Sequence, residues 1–248
     1  MNSYFLLLQY LLYMNPEIGL PTDHKTEHCL VFNSGSLIRS CNRVCNESVP
    51  TDFEVTEIKS HFGTLPFTWA VDTTDNQTIA VLKHNNLHAV GSFPAMILDL
   101  RDIEPVDYGN EIAIKEITPE SNERLKWIEI VSTSFNVSPS ELTRLLDLFI
   151  AKLSPSALRL YVAYYNGQAA AASMALQHGQ IIALHWIATI PEFRNKGLGF
   201  AVTHKPLVDS KANGDEQALL LASVMGKPVY DRIGFEQYAV YTMYAPHE

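Results

Sequence analysis

The sequence predicts an α+β protein: a mixed, mostly antiparallel sheet flanked by helices, arranged as two consecutive domains. Three observations carry this expectation. Asn166-Gly167 lies between two strand-like runs, and Asn-Gly is the strongest short-range hairpin signal. The second half of the chain reads as strand, two helices, three strands, helix, strand, helix, strand. In the first half, a strand–helix–strand run over 65–100 parallels the one over 218–244, which suggests a duplicated domain whose first copy has drifted.

Each element has a local reason. Residues 4–14 are almost wholly apolar, but no Lys or Arg precedes them and Gln9 interrupts them. No small-residue cleavage site follows Asn15-Pro16, so the run reads as a core helix stopped by Pro16 rather than an export signal. It is also too short to span a bilayer. Strand-like runs at 65–71, 87–90 and 96–100 surround a helical run at 79–84. Residues 100–111 are acidic, hold a Pro and a Gly and lack apolar periodicity, as a linker does, so the chain divides near 110 into domains 1–110 and 111–248.

Beyond that point, 112–117 is a strand. Thr118-Pro119 places an N-cap and a first-turn Pro before a helix running to about Ser134. Ser138-Pro139-Ser140-Glu141 has the spacing of a capping box, and Leu142, Leu145, Leu146 and Phe149 make one apolar stripe. Three strands follow at 159–165, 168–177 and 180–190, the last two joined at His178-Gly179. A helix over 197–213 ends at Gly214 and should kink at Pro206. A buried strand over 218–223, a short helix over 228–233 and a strand over 235–244 complete the chain.

Composition narrows the function. The 248 residues hold 18 Lys+Arg against 27 Asp+Glu, a net charge of −9, with 47% apolar residues. This is a globular chain, and its charge argues against nucleic acid, whose binding begins with phosphate neutralisation. The acid excess sits in 1–110, with 6 basic and 13 acidic side chains against 12 and 14 beyond it. Such a surface could attract a cationic amine, although solvation is its ordinary role. Three cysteines are too few for a disulfide framework and fit a reducing compartment, the cytoplasm. His24, His28, Cys29, Cys41 and Cys45 could suggest structural zinc. Their spacing lacks the usual Cys-x-x-Cys pair and His28-Cys29 adjacency is awkward for one tetrahedral centre, so buried thiols with surface histidines, and no metal, are expected.

The sharpest chemical feature is Arg194-Asn195-Lys196-Gly197-Leu198-Gly199, directly after a strand and opening a helix. Glycines let a ligand approach the backbone, and successive N–H groups at a helix start converge on an anion. Arg194 and Lys196 add two cations. With the preceding Ile187, Ala188 and Thr189, and with Pro228-Val229-Tyr230-Asp231-Arg232-Ile233-Gly234-Phe235 further on, this stretch resembles the two hallmarks of the GNAT N-acetyltransferase superfamily. The resemblance extends to the order of elements throughout 111–248. The first half, with Pro66-Phe67-Thr68-Trp69 and residues 96–100, is similar to a degenerate GNAT-like domain found ahead of some members.

The resemblance implies the GNAT fold, as two tandem GNAT-like domains, with acetyl-CoA as co-substrate and an amine-bearing acceptor. The cofactor would lie where the fourth strand of the second half splays from the fifth. Main-chain groups of Ile187, Ala188 and Thr189 would pair with the pantetheine arm, N–H groups from Arg194 through Asn195, Lys196, Gly197, Leu198 and Gly199 would hold the diphosphate, and Ser223 would line the fifth strand's end. The N-terminal domain would shape the acceptor side. Tyr230 would stand at the thioester sulfur, where a phenol can protonate a leaving thiolate; otherwise it is an amphipathic core residue. Some family members carry a Glu in the fourth strand as base, but 180–190 holds no carboxylate. His185 is the titratable side chain there and could serve as base, or it is a cleft-wall histidine. With no Cys beyond 45, a cysteine acyl-enzyme in the second half is excluded. Two activities follow: direct acetyl transfer to an amine, or coenzyme A binding without turnover by a sensor or interaction module.

Overall fold

In the computed structural model, which describes residues 24–247, these form two compact units, one of 24–95 with 237–247 and one of 96–236. The helix expected over residues 4–14 lies outside the described residues.

The first unit holds β1 (His24–Lys25), β2 (Cys29–Asn33), β3 (Asn42–Asn46), α1 (Asp52–Phe62), β4 (Thr68–Asp72), α2 (Asn76–His84) and the start of β5 (Leu87–Asp99). Strands β1, β2 and β3 pair antiparallel. β3 and β4 run parallel, Val44 beside Trp69, because α1 supplies the crossover that parallel strands require. Trp69, Val31, Val44, Ile58 and Leu82 make its core. α1 begins at a capping box in which Thr51 accepts from the Glu54 N–H and Glu54 accepts from the Thr51 N–H. The Glu54 carboxylate also accepts from Thr26 Oγ1 at 2.6 Å and the His28 N–H at 3.0 Å, with His28 Nδ1 at 2.9 Å.

The second unit continues with β6 (Ile112–Ile117), α3 (Arg124–Phe135), α4 (Pro139–Lys152), β7 (Leu158–Tyr165), β8 (Gln168–His178), β9 (Ile181–Thr189), α5 (Leu198–Ala212), β10 (Gln217–Leu221) and α6 (Lys227–Ile233), after which β11 (Glu236–Pro246) begins. β6 to β9 form the expected antiparallel meander, and β10 joins β9 in parallel. Asn166 and Gly167 take φ of 48° and 81°, the paired positive values that a tight hairpin demands. Tyr161, Ala171, Ala175, Leu184, Leu198 and Val202 share one core cluster, so α5 packs on that sheet face. Ala172, Met174 and Leu176 alternate with them and are equally buried. Small residues in β8 let helices approach the sheet closely.

Several expectations change in detail. Residues 119–123 form consecutive turns and α3 starts at Arg124, without a side-chain cap. The Ser138 capping box does not form: Ser138 Oγ meets Ser140 Oγ at 2.8 Å while Glu141 takes an i,i+3 pair with Arg144. The runs at 87–90 and 96–100 are one strand, β5. The acidic segment after residue 100 is tied to α5, where Lys211 Nζ donates to the Arg101 and Ile103 carbonyls at 2.8 and 2.7 Å. The two compact units part between Ala95 and Met96, within β5. β11 pairs antiparallel with β4, Thr242 beside Val71, which assigns the final strand to the first unit. No helix among the described residues is long and apolar enough to cross a membrane.

All three cysteines are buried, and burial pushes the Cys29 thiol up to about 12. His24 Nε2 meets Glu57 Oε1 at 2.8 Å. Among the described residues no three metal-ligating side chains converge.

Burial penalises the Glu54 charge, but the hydrogen bonds from Thr26, Thr51 and His28 outweigh it and hold the carboxyl near about 2, below the ordinary 4.5. Its contribution to stability is complete above the unfolded-state pKa and is lost as pH falls from about 4.5 toward about 2. Urea midpoints measured across that window should fall with pH in the native protein and fall less in Glu54→Gln.

Candidate functional site

The site begins with a misfit between two strands. Ala172 pairs with Ala188 and Met174 with His185, so Ser173 alone faces Trp186 and Ile187. This is a β-bulge with one extra residue on β9. Trp186 absorbs it with φ of 50°, a conformation costing a bulky residue about 1–2 kcal/mol. Its ring meets Phe135 edge-on at 5.5 Å and 84°, and its Nε1 is buried without a partner among the described residues.

Opposite the bulge, the Ser173 carbonyl accepts from Trp127 Nε1 of α3 at 2.9 Å. The Ser173 hydroxyl donates to the Val202 carbonyl at 2.7 Å. That carbonyl needs a partner because Pro206, four residues on inside α5, has no N–H to give it.

Past the bulge, β9 separates from β10. Their pairing runs from Ile181 beside Gln217 to Leu184 beside Leu220 and stops, while β9 continues to Thr189. Between His185 and Thr189 the edge of β9 away from β8 therefore has no strand beside it. Ile187, Ala188 and Thr189 lie on this stretch. His185 stands half-buried at its beginning.

The chain then turns through Pro191–Phe193. Arg194 takes part in this turn: its N–H donates to Pro191 at 3.2 Å and its Nε to the Thr189 carbonyl at 3.3 Å. Donors without a protein acceptor among the described residues start one residue later, at Asn195, and extend through Lys196, Gly197, Leu198 and Gly199 to Phe200. Asn195 and Gly197 have φ of 61° and 81°, a reversal of the kind that gathers successive N–H groups into a concavity. A Cβ on Gly199 would point toward β9, 3.8 Å from Thr189 Oγ1, so the glycine keeps that space open. Lys196 Nζ rests 4.4 Å from the Tyr165 ring centroid and 5.6 Å from that of Phe193. The helix start thus presents free donors, the positive dipole end and a fixed ammonium.

Tyr230 lies on α6 with 6% of its surface exposed, in the core cluster that includes Leu184 and Leu198. Phe235 packs against it edge-on at 6.1 Å. Burial pushes the phenol pKa above its ordinary value, so it stays protonated. A Cβ on Gly226 would fall 2.7 Å from the Tyr230 hydroxyl, so the phenol occupies space that only glycine leaves. Ser223 Oγ accepts from the Gly226 N–H at 3.0 Å; Ser223 builds the turn into α6.

Ile187, Ala188 and Thr189 thus lie on the open edge of β9 and the 194–199 loop follows it directly, with Arg194 folded back onto Thr189, while Ser223 and Tyr230 lie beyond β10, before and within α6. Sequence reasoning missed Gly226, although a glycine four residues before Tyr230 at a helix start was a visible signal. It also missed Ser173, whose one signal is a hydroxyl within an alanine run.

Residues 127–223 match the family described as Acetyltransferase (GNAT) domain. The fold is similar to a GCN5-related N-acetyltransferase from Kribbella flavida, at a TM-score of 0.72 and 11% identity over 96% of this chain and 94% of that one. It is similar to another from Sphaerobacter thermophilus, at 0.67 and 13% over 88% and 75%. A tandem GNAT protein from the clavulanic acid biosynthesis pathway aligns at 0.58 and 11% over 83% and 76%. No curated protein matches.

Ser173→Ala should cost about 2 kcal/mol by leaving the buried Val202 carbonyl unpaired. Adding Pro206→Ala supplies the missing N–H and should return part of that loss in urea unfolding. Gly226→Ala should cost about 1–3 kcal/mol by overpacking and alter the near-ultraviolet tyrosine signal.

Proposed function

We propose, because residues 127–223 match a GNAT acetyltransferase domain, that the second unit transfers an acetyl group from acetyl-CoA to a primary amine. The reading takes transfer to occur by direct attack in a ternary complex. One observation carries it: the unpaired edge of β9 leads directly into the free N–H groups of 195–200. An amide-bearing arm ending in a diphosphate fits that succession. The open space beside Gly199 supports the same fit.

Acetyl-CoA supplies the activated acetyl thioester. The edge at Ile187, Ala188 and Thr189 hydrogen-bonds the pantetheine amides as an added strand would. The donors from Asn195 to Gly199 hold the diphosphate, with Lys196 and Arg194 contributing charge. Tyr230 donates a hydrogen bond to the leaving sulfur. A phenol desolvated in this way is a weaker acid than a free one, so its proton follows the charge that builds on sulfur rather than preceding it. His185 accepts the amine proton directly or through water, unless the amine arrives neutral. Three cysteines, too few for a disulfide framework, support a reducing compartment, the cytoplasm.

The absence of a carboxylate in 180–190 favours a second reading, a coenzyme A sensor without turnover. Calorimetry with acetyl-CoA and a thiol-release assay across an amine panel separate the two. Binding with release supports the enzyme; binding with no release on any amine supports the sensor; no binding removes both.

Tyr230→Phe should lower turnover about 100-fold or more while leaving the acetyl-CoA Kd within about twofold. Unchanged turnover at neutral pH would remove the acid role. His185→Ala should abolish the acid limb of the kcat/KM profile, and an unaltered profile would dismiss His185 as base.

A further inference from the structure

Two cations near the free N–H groups are held by aromatic rings instead of carboxylates. Lys196 is one. The other is Arg232 of α6, whose guanidinium lies over the Phe200 ring with Cζ 4.8 Å from the centroid. Phe200 is the third residue of α5, so Arg232 is held against the same helical turn that presents the unpaired donors.

The support beneath Arg232 is itself uncharged. The Phe200 ring stacks on His204 at 5.1 Å and 13°, and the Tyr108 hydroxyl meets His204 Nδ1 at 2.9 Å. Burial lowers the His204 pKa, so the imidazole stays neutral and accepts from the phenol. Asp231, beside Arg232 in sequence, is taken by Lys227 at 2.8 and 2.9 Å. Among the described residues Arg232 has no ion-pair partner. A guanidinium stacked on a ring keeps its N–H fork free for phosphate.

Arg232 also differs in origin from the diphosphate donors. Those belong to the loop and the start of α5, whereas Arg232 comes from α6 and meets α5 at the Phe200 ring. Its position suits a phosphate other than the diphosphate. Resting on the acetyl-CoA reading above, we infer that Arg232 binds the phosphate on the cofactor's ribose 3′ oxygen, making the protein selective for coenzyme A over dephospho-coenzyme A.

Calorimetry on the full chain at low salt, with coenzyme A and dephospho-coenzyme A as ligands, tests this. The native protein should bind coenzyme A about tenfold more tightly, a charge-assisted contact's worth, and the gap should narrow as salt rises. Arg232→Ala should lose that factor for coenzyme A and leave dephospho-coenzyme A within about twofold. Arg232→Lys should keep part of it. Equal binding of both ligands by the native protein, a comparison that needs no variant to fold, overturns the inference while leaving the acetyl-CoA reading intact. Equal weakening of both ligands in Arg232→Ala, with the urea midpoint unchanged, also overturns it, because the arginine would then serve the diphosphate. Binding of neither ligand overturns the acetyl-CoA reading and this inference together.

Discussion

One extra residue in β9, opposite Ser173, is the constraint on which the second unit's architecture depends. The Ser173 carbonyl opposite it accepts from Trp127 of α3. The same serine's hydroxyl answers the carbonyl that Pro206 leaves open in α5. A buried polar group without a partner is expensive, so these two bonds make the positions of both helices conditional on one residue of β8. Beyond the bulge, β9 no longer runs beside β10, and the open edge is the consequence.

A net charge of −9 is a poor start for recognising a phosphorylated ligand, yet the helix start is locally favourable. Long-range repulsion fades beyond about 10 Å at moderate salt, whereas free N–H groups act at contact distance. Two nearby carboxylates are engaged elsewhere: Glu111 accepts from the Tyr165 hydroxyl at 3.0 Å, and Asp231 holds Lys227. Aromatic rings restrain Lys196 and Arg232 without neutralising them. Positive charge is therefore positioned without being cancelled.

Tyr230 illustrates the opposite treatment of a polar group. It sits in apolar surroundings over a glycine that leaves room for its hydroxyl, and desolvation favours the neutral phenol. Such a group is precise in position and constant in charge, which suits hydrogen-bond donation better than rapid proton exchange.

The sequence by itself determined what depends on short-range chemistry. The meander at Asn166-Gly167, the stop at Gly214 and the glycine-bearing helix start at Gly197 were all legible, because positive φ is a property of one residue. Even local signals failed where a second neighbour competed, as when Glu141 chose Arg144 over the Ser138 cap. Only the tertiary structure decided that the acidic segment after residue 100 binds α5 through Lys211, that β11 joins β4, and that Trp186 bulges. Each of those outcomes is a choice among distant hydrogen-bond partners. Composition and periodicity record which groups need partners, but the partner itself is selected only when the chain is folded.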